Sequence, residues 1–160
     1  MNGPAFLSPG VARAEDGFAP RQASPLARAL AGSTGLRDLS LLGKIELRGG
    51  DVPEDVETVR ITAHRVLLVC EPERCAELLE TESGLAVDLT AALAGIELEG
   101  ETLMRRLTDL DLSRLPAPGK VAGVPALVSS PGRGRFRIFF AQEVGHSVVE
   151  TVRDLQEGLT

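Results

Sequence analysis

Along residues 44–48 apolar and polar side chains alternate, with Ile45 and Leu47 on one side of an extended chain and Lys44, Glu46 and Arg48 on the other. This period of two predicts a half-buried strand over residues 41–48, closed by the turn Gly49-Gly50-Asp51. The same phrase then returns. Gly43-Lys44-Ile45-Glu46-Leu47-Arg48-Gly49 is answered by Ala94-Gly95-Ile96-Glu97-Leu98-Glu99-Gly100, with Ile45 and Ile96 51 positions apart. Each copy follows an acidic, hydroxyl-bearing lead-in, Asp38-Leu39-Ser40 or Asp88-Leu89-Thr90. Each also precedes an apolar strand that runs into an amphipathic helix: Val66-Leu67-Leu68-Val69 before residues 71–81, and Phe136-Arg137-Ile138-Phe139-Phe140 before residues 142–155. A doubled supersecondary unit is the economical reading.

The remaining pattern fills in the elements. Ser24 caps a short helix with Pro25 in its first position, Gly32 as its stop, and Leu26, Ala29 and Leu30 as its buried face. Residues 57–62 are rich in β-branched side chains, residues 65–70 form an apolar run fit for a central strand, and Ala63-His64 joins the two in a tight hairpin. In the helix at 71–81, Cys75, Leu78 and Leu79 point inward, with Gly84 beyond its end. Gly100-Glu101-Thr102 opens a helix whose Leu103, Leu107 and Leu110 share a face. Leu115-Pro116-Ala117-Pro118-Gly119 reads as a rigid loop. Residues 121–129 read as a strand in which Gly123 and Pro125 mark an edge or a bulge. Pro131-Gly132 turns the chain and residues 135–141 return antiparallel; Val144, Val148, Val152 and Leu155 then line the last helix.

Strands interleaved with helices and hairpins predict an α+β fold: a two-layer sandwich of duplicated ferredoxin-like units. Residues 1–23 lack periodicity and read as a flexible arm; residues 24–160 form one domain of two related halves, about 36–84 and 86–158.

Composition narrows the function classes. Aromatic residues make up 3% of the chain, with no Trp or Tyr, so the core is aliphatic and no stacking platform for bases exists. The formal net charge of −6 disfavours phosphate backbones, so nucleic acid is not expected as a partner. No apolar run is long enough to span a membrane, and the N-terminus does not read as a signal peptide. Two cysteines, Cys70 and Cys75, read as ordinary thiols in a reducing cytoplasm.

Candidate chemistry is sparse. The sequence holds no phosphate-binding loop, no nucleophile elbow and no zinc spacing, and His64 and His146 read as solvated imidazoles. Arg133, Arg135 and Arg137 alternate, so a strand would align three guanidinium groups on one face as a carboxylate- or phosphate-holding row. A solvated hairpin whose charges discourage edge pairing explains the same residues. Arg105-Arg106 either adds charge nearby or faces solvent. The acidic stretch Glu54-Asp55-Val56-Glu57 is either an exposed turn or the seat of a general base.

The segment Gly35-Leu36-Arg37-Asp38-Leu39-Ser40-Leu41-Leu42-Gly43-Lys44, continuing to Gly49, resembles the "Gly-Leu-x-Asp-Val-Ser-His-x-Gly-Lys…Gly" segment of the glycine-cleavage T-proteins, the folate-binding aminomethyltransferases. Residues 60–70 are similar to that family's Arg-Leu strand pair. Residues 96–100, 107–112 and 121–128 are similar to its later half-domain, so the resemblance covers about residues 24–158. The short length points to the sarcosine oxidase gamma-subunit branch of this superfamily.

That resemblance implies the fold of the T-protein N-terminal folate-binding domain. It also implies a non-catalytic accessory subunit, in sarcosine and one-carbon metabolism, packed beside larger subunits that hold flavin, NAD and folate. Tetrahydrofolate is the only cofactor it offers this chain, no metal is implied, and a homo-oligomer is admitted for the isolated chain. A stand-alone tetrahydrofolate-type binder or a minimal aminomethyltransferase is the alternative. Ungapped counting carries the family's catalytic aspartate onto Asp55, with different flanking residues. Leu41 stands where the family has His, and Pro131-Gly132-Arg133-Gly134-Arg135 replaces the turn whose Glu contacts folate.

Overall fold

A computed structural model describes residues 23–81 and 84–159; the arm expected over 1–23 lies outside these residues apart from Ala23. The chain forms β1 (Leu36–Asp38), β2 (Gly43–Arg48), β3 (Glu57–Thr62), β4 (Arg65–Cys70), α1 (Pro72–Thr81), β5 (Leu85–Asp88), β6 (Leu93–Glu99), α2 (Glu101–Leu107), β7 (Ala117–Val121), β8 (Val124–Gly132), β9 (Arg135–Ala141) and α3 (Gly145–Glu157). The strands make two antiparallel sheets, one in the order β1-β6-β9-β8-β7 and one in the order β3-β4-β2-β5. The α+β expectation holds. Helices α2 and α3 cover one face of the five-stranded sheet, burying Ile96, Met104, Ile138, Val148 and Val152. Helix α1 covers one face of the four-stranded sheet, where Ile45, Leu47, Val66 and Leu68 meet Cys75 and Leu78. The two remaining sheet faces meet each other through Leu39, Val59, Leu67, Val69 and Phe139.

The repeated phrase occupies corresponding strands, β2 and β6, and the lead-ins cross over. β1, which precedes β2, pairs with β6, whereas β5, which precedes β6, pairs with β2. Each crossing is fastened in the same way. The Asp38 carboxylate accepts from Ser40 N at 2.9 Å, and the Asp88 carboxylate accepts from Thr90 N at 2.8 Å. These are Asx turns, in which a short acidic side chain replaces a backbone acceptor. The freed hydroxyls then reach the other copy: Gly95 N donates to Ser40 Oγ at 3.2 Å, and Lys44 N to Thr90 Oγ1 at 3.0 Å. Backbone bonds complete the exchange, Leu39 N to Gly95 O at 2.8 Å and Leu89 N to Lys44 O at 2.7 Å.

Several elements differ from the sequence expectation. β2 is buried on both sides, because its polar face looks at the second sheet and not at water; Lys44 and Glu46 are buried along with Ile45 and Leu47. Residues 117–119, expected in a loop, belong to β7. Ala122-Gly123, with φ of 51° and 79°, is a hairpin turn between β7 and β8, where a single strand was expected. Pro125 is tolerated because the β8–β9 ladder begins only at Ala126. The next turn is Arg133-Gly134, φ 58° and 72°, and not Pro131-Gly132. Residues 25–32 form successive turns with one helical bond, Leu30 N to Leu26 O, yet bury Leu26 and Ala29 as the periodicity requires. α2 ends at Leu107, so Leu110 reaches the core from a loop. In α1, Cys75 and Leu78 point inward as expected, but Leu79 is 37% exposed.

Lys44 and Gly95 hold corresponding places and solve the same space differently. A side chain on Gly95 would stand 2.8 Å from the ring of Phe139, which fills that site. On the other side the Lys44 chain runs through the core and its ammonium donates to Ser40 O at 2.7 Å and Leu42 O at 2.8 Å. Burial pushes the Lys44 pKa down to about 8, against the weaker upward pull of Asp38 and Asp88. Between pH 8 and its ordinary value of 10.5, the unfolded chain keeps a proton that the folded chain has released. Stability from this residue therefore rises with pH across that window. Urea unfolding of the wild type minus that of Lys44→Met, which cancels the shared cysteines, should be flat in pH below 8 and climb between 8 and 10.5. A pH-independent difference would mean that Lys44 titrates normally.

Candidate functional site

The inner faces of the two sheets carry a charged layer. Glu46 and Glu97, again 51 positions apart, are both buried there and each is gripped by arginine. Glu46 accepts from Arg65 at 2.8 Å through both carboxylate oxygens, and Arg48 adds a third bond. The Arg65 hydrogen bonds hold the Glu46 carboxyl below its ordinary range, against the opposing effect of burial. Glu97 accepts from Arg137 at 2.8 Å, with Arg135 at 3.6 Å and Arg37 at 3.9 Å. Arg137 also pairs with Glu57 of β3, and Ser129 donates to the same Glu57 carboxylate. Arg137 is thus the charge that bolts the two sheets together.

At the rim of this layer lies a cleft of about 410 Å³, lined by Arg37, Asp55, Glu57, Glu71, Arg74 and Arg137 over an apolar floor of Leu39, Leu42 and Val69. The structure therefore brings Asp55 and Arg137, two residues singled out from sequence, into one concavity. Arg135 lies beside Arg137 at Glu97. Arg133 does not join them, since it occupies the turn and leaves the strand's alternation. Arg105 is apart as well: it pairs with Glu101 on α2, in the helix layer beyond the sheet.

The chemistry of the cleft is that of paired ions. Arg74 donates to both Asp55 oxygens, at 3.0 and 3.2 Å, and these bonds hold the Asp55 carboxyl below the usual carboxylate range. A carboxylate so held accepts a proton poorly at neutral pH. Burial pushes the Cys70 thiol up to about 11, and burial likewise raises the Cys75 thiol, so neither supplies a thiolate at neutral pH. Both cysteines are free thiols, as expected. His64 sits in the β3–β4 turn and His146 on α3 beside Glu150, both exposed. Among the described residues no group of three His, Cys, Asp or Glu side chains could hold a metal ion, and no helix is long and apolar enough to cross a membrane. Arg37, Glu71 and Arg74 were missed from sequence. Their only signal is their register: Arg37 opposes Glu97 across β1 and β6, and Arg74 leaves α1 toward the β2–β3 connection.

No family model matches the chain, and no curated protein matches it in sequence. Solved structures do match. One chain of the heterotetrameric sarcosine oxidase from Corynebacterium sp. U-96, solved with pyrrole 2-carboxylate, superposes with a TM-score of 0.70 at 19% identity, over 86% of this chain and 95% of that one. The ligand-free regulatory subunit of aspartate kinase from Thermus thermophilus superposes with a TM-score of 0.51 at 12% identity, over 76% of this chain and 97% of that one. At such identities the likeness is one of fold, and the fold implied by the sequence resemblance is the fold observed.

Removing Arg137 takes the nearest cation from two carboxylates, one of them buried, and leaves Glu97 only the longer contacts of Arg135 and Arg37. Arg137→Met should cost about 3 kcal/mol in urea unfolding, whereas Arg133→Ala, out in the turn, should stay within about 0.5 kcal/mol. Equal effects would mean that the inner ion pairs do not join the sheets.

Proposed function

We propose that this chain is a non-catalytic, gamma-like accessory subunit of a heteromeric sarcosine-oxidase-like complex, with flavin, NAD and folate held by larger subunits. The observation that carries this reading is the fold likeness to a chain of a heterotetrameric sarcosine oxidase, which spans 95% of that chain's length. The chemistry of the cleft supports it: its candidate base, Asp55, is spent on Arg74, and its one thiol among the described residues, Cys70, stays protonated.

A second reading has one observation in its favour. Arg37 has a side chain 66% exposed and only a 3.9 Å contact with Glu97, and it shares a cleft with Asp55. Such a group suits the carboxylate tail of a tetrahydrofolate-type ligand, or a minimal aminomethyltransferase using Asp55. Ligand pockets, however, are mostly apolar with a few convergent polar groups, and six charged side chains line this one.

Purification of the tagged full-length chain from its native host at modest salt should yield a yellow complex with flavin absorption bands and larger co-purifying chains. A colourless, solitary protein would overturn the accessory reading, and calorimetric titration with tetrahydrofolate would then test the second. In the assembled complex Asp55→Asn should leave turnover within about twofold of wild type. A loss of about a hundredfold, the size expected for a general base, would instead make this chain catalytic.

A further inference from the structure

Helix α1 is apolar in two directions. Cys75 and Leu78 face its own sheet. Pro72, Ala76 and Leu79, spaced by four and three, form a second stripe roughly a quarter turn away. No described element covers that stripe. It forms one wall of a groove of about 430 Å³ whose other wall is Pro25, Leu41 and Ala91. Leu41 and Leu79 are 46% and 37% exposed, both large apolar side chains open to solvent, and they belong to this same groove. Paired aliphatic side chains lining a concavity differ from scattered surface leucines, because they can be desolvated together by one entering group.

The rim is acidic. Glu73 and Glu80, seven residues apart, border the second stripe on its outer side, and Asp88 lines the groove. Neither glutamate forms an ion pair among the described residues. Glu80 is also placed against its own helix: it sits in the last turn, where the helix dipole favours cations, and no basic residue balances it there. An apolar slot with an uncompensated acidic border is complementary to a segment with aliphatic anchors and basic flanks.

We infer that this groove seats an amphipathic segment of a larger partner polypeptide. Its aliphatic side chains enter between Leu41 and Leu79, and its Lys or Arg side chains reach Glu73, Glu80 and Asp88. The inference rests on the accessory-subunit reading and names the surface through which that subunit docks.

The test is photo-crosslinking in the native host with the full-length chain carrying Leu79→p-benzoylphenylalanine, an exposed position that leaves the core intact. The attached peptide is read by mass spectrometry. The expected adduct is a peptide of a larger chain with aliphatic residues flanked by Lys or Arg. Leu41→p-benzoylphenylalanine should capture the same peptide. The same probe at Glu77, elsewhere on α1, should give less than about a tenth of the yield, and Glu73→Lys with Glu80→Lys should cut the yield at position 79 about tenfold. Attachment to residues 1–22 of the same chain, to a second copy, or to a segment without basic residues would overturn the inference, as would equal yields at positions 77 and 79. If flavin-bearing chains co-purify but no adduct forms at position 79, the groove inference fails alone. If the captured chain belongs to a complex without flavin, the docking site stands and the oxidase reading fails.

Discussion

The structure depends on an exchange of strands between two copies of one short phrase. Neither sheet is complete with its own lead-in, because β1 closes the sheet of β6 and β5 closes the sheet of β2. The exchange is held by a pair of matched devices. In each, an aspartate folds its own loop, which frees a Ser or Thr hydroxyl to accept from the backbone of the opposite copy. Each hydroxyl therefore satisfies a strand N–H that would otherwise be orphaned in the interior, where an unmade hydrogen bond is expensive. The two sheets come into register as a consequence, and everything charged or apolar on their inner faces is placed by that register.

Given this placement, buried Glu46 and Glu97 are understandable. A carboxylate between two sheets survives only with cationic donors around it, and each glutamate has them in arginines of its own or neighbouring strands. Arg137 adds a bond across the gap to Glu57. The inner layer works as an adhesive, and its ionisable groups are consumed in holding the fold. The groove at α1 is different in kind, being apolar, open and bordered by Glu73 and Glu80, which pair with no cation among the described residues.

Much of this was legible from periodicity. The repeat, the β3–β4 hairpin, the inward face of α3 and the α+β class all follow from spacing. The errors have physical causes. β2 reads as half-buried because a Lys-Ile-Glu-Leu-Arg alternation looks solvated until a second sheet is set against it. β1 and β5 are too short, at three and four residues, to carry a pattern of their own. Leu79 reads as core because single-sequence spacing cannot tell which side of a helix is covered when apolar residues occur on two. The arginine row dissolved in part because Arg133 sits in a left-handed turn that alternation cannot foresee. Arg74 and Arg37 were invisible as site residues, since their roles come from elements that meet only in the folded chain.

The crossing of lead-ins also orders events during synthesis. β2, β3, β4 and β5 all lie before residue 89, so the four-stranded sheet has every strand once that much chain has emerged. β1 is made before any of them, yet its partner β6 is completed only at Glu99, and β9, the strand on the other side of β6, comes later still. β1 must therefore wait without that partner while a whole sheet assembles downstream of it, and it is tied down only by long-range closure. Its brevity is protective in that interval: three residues ending in an aspartate offer little edge for another chain to grasp.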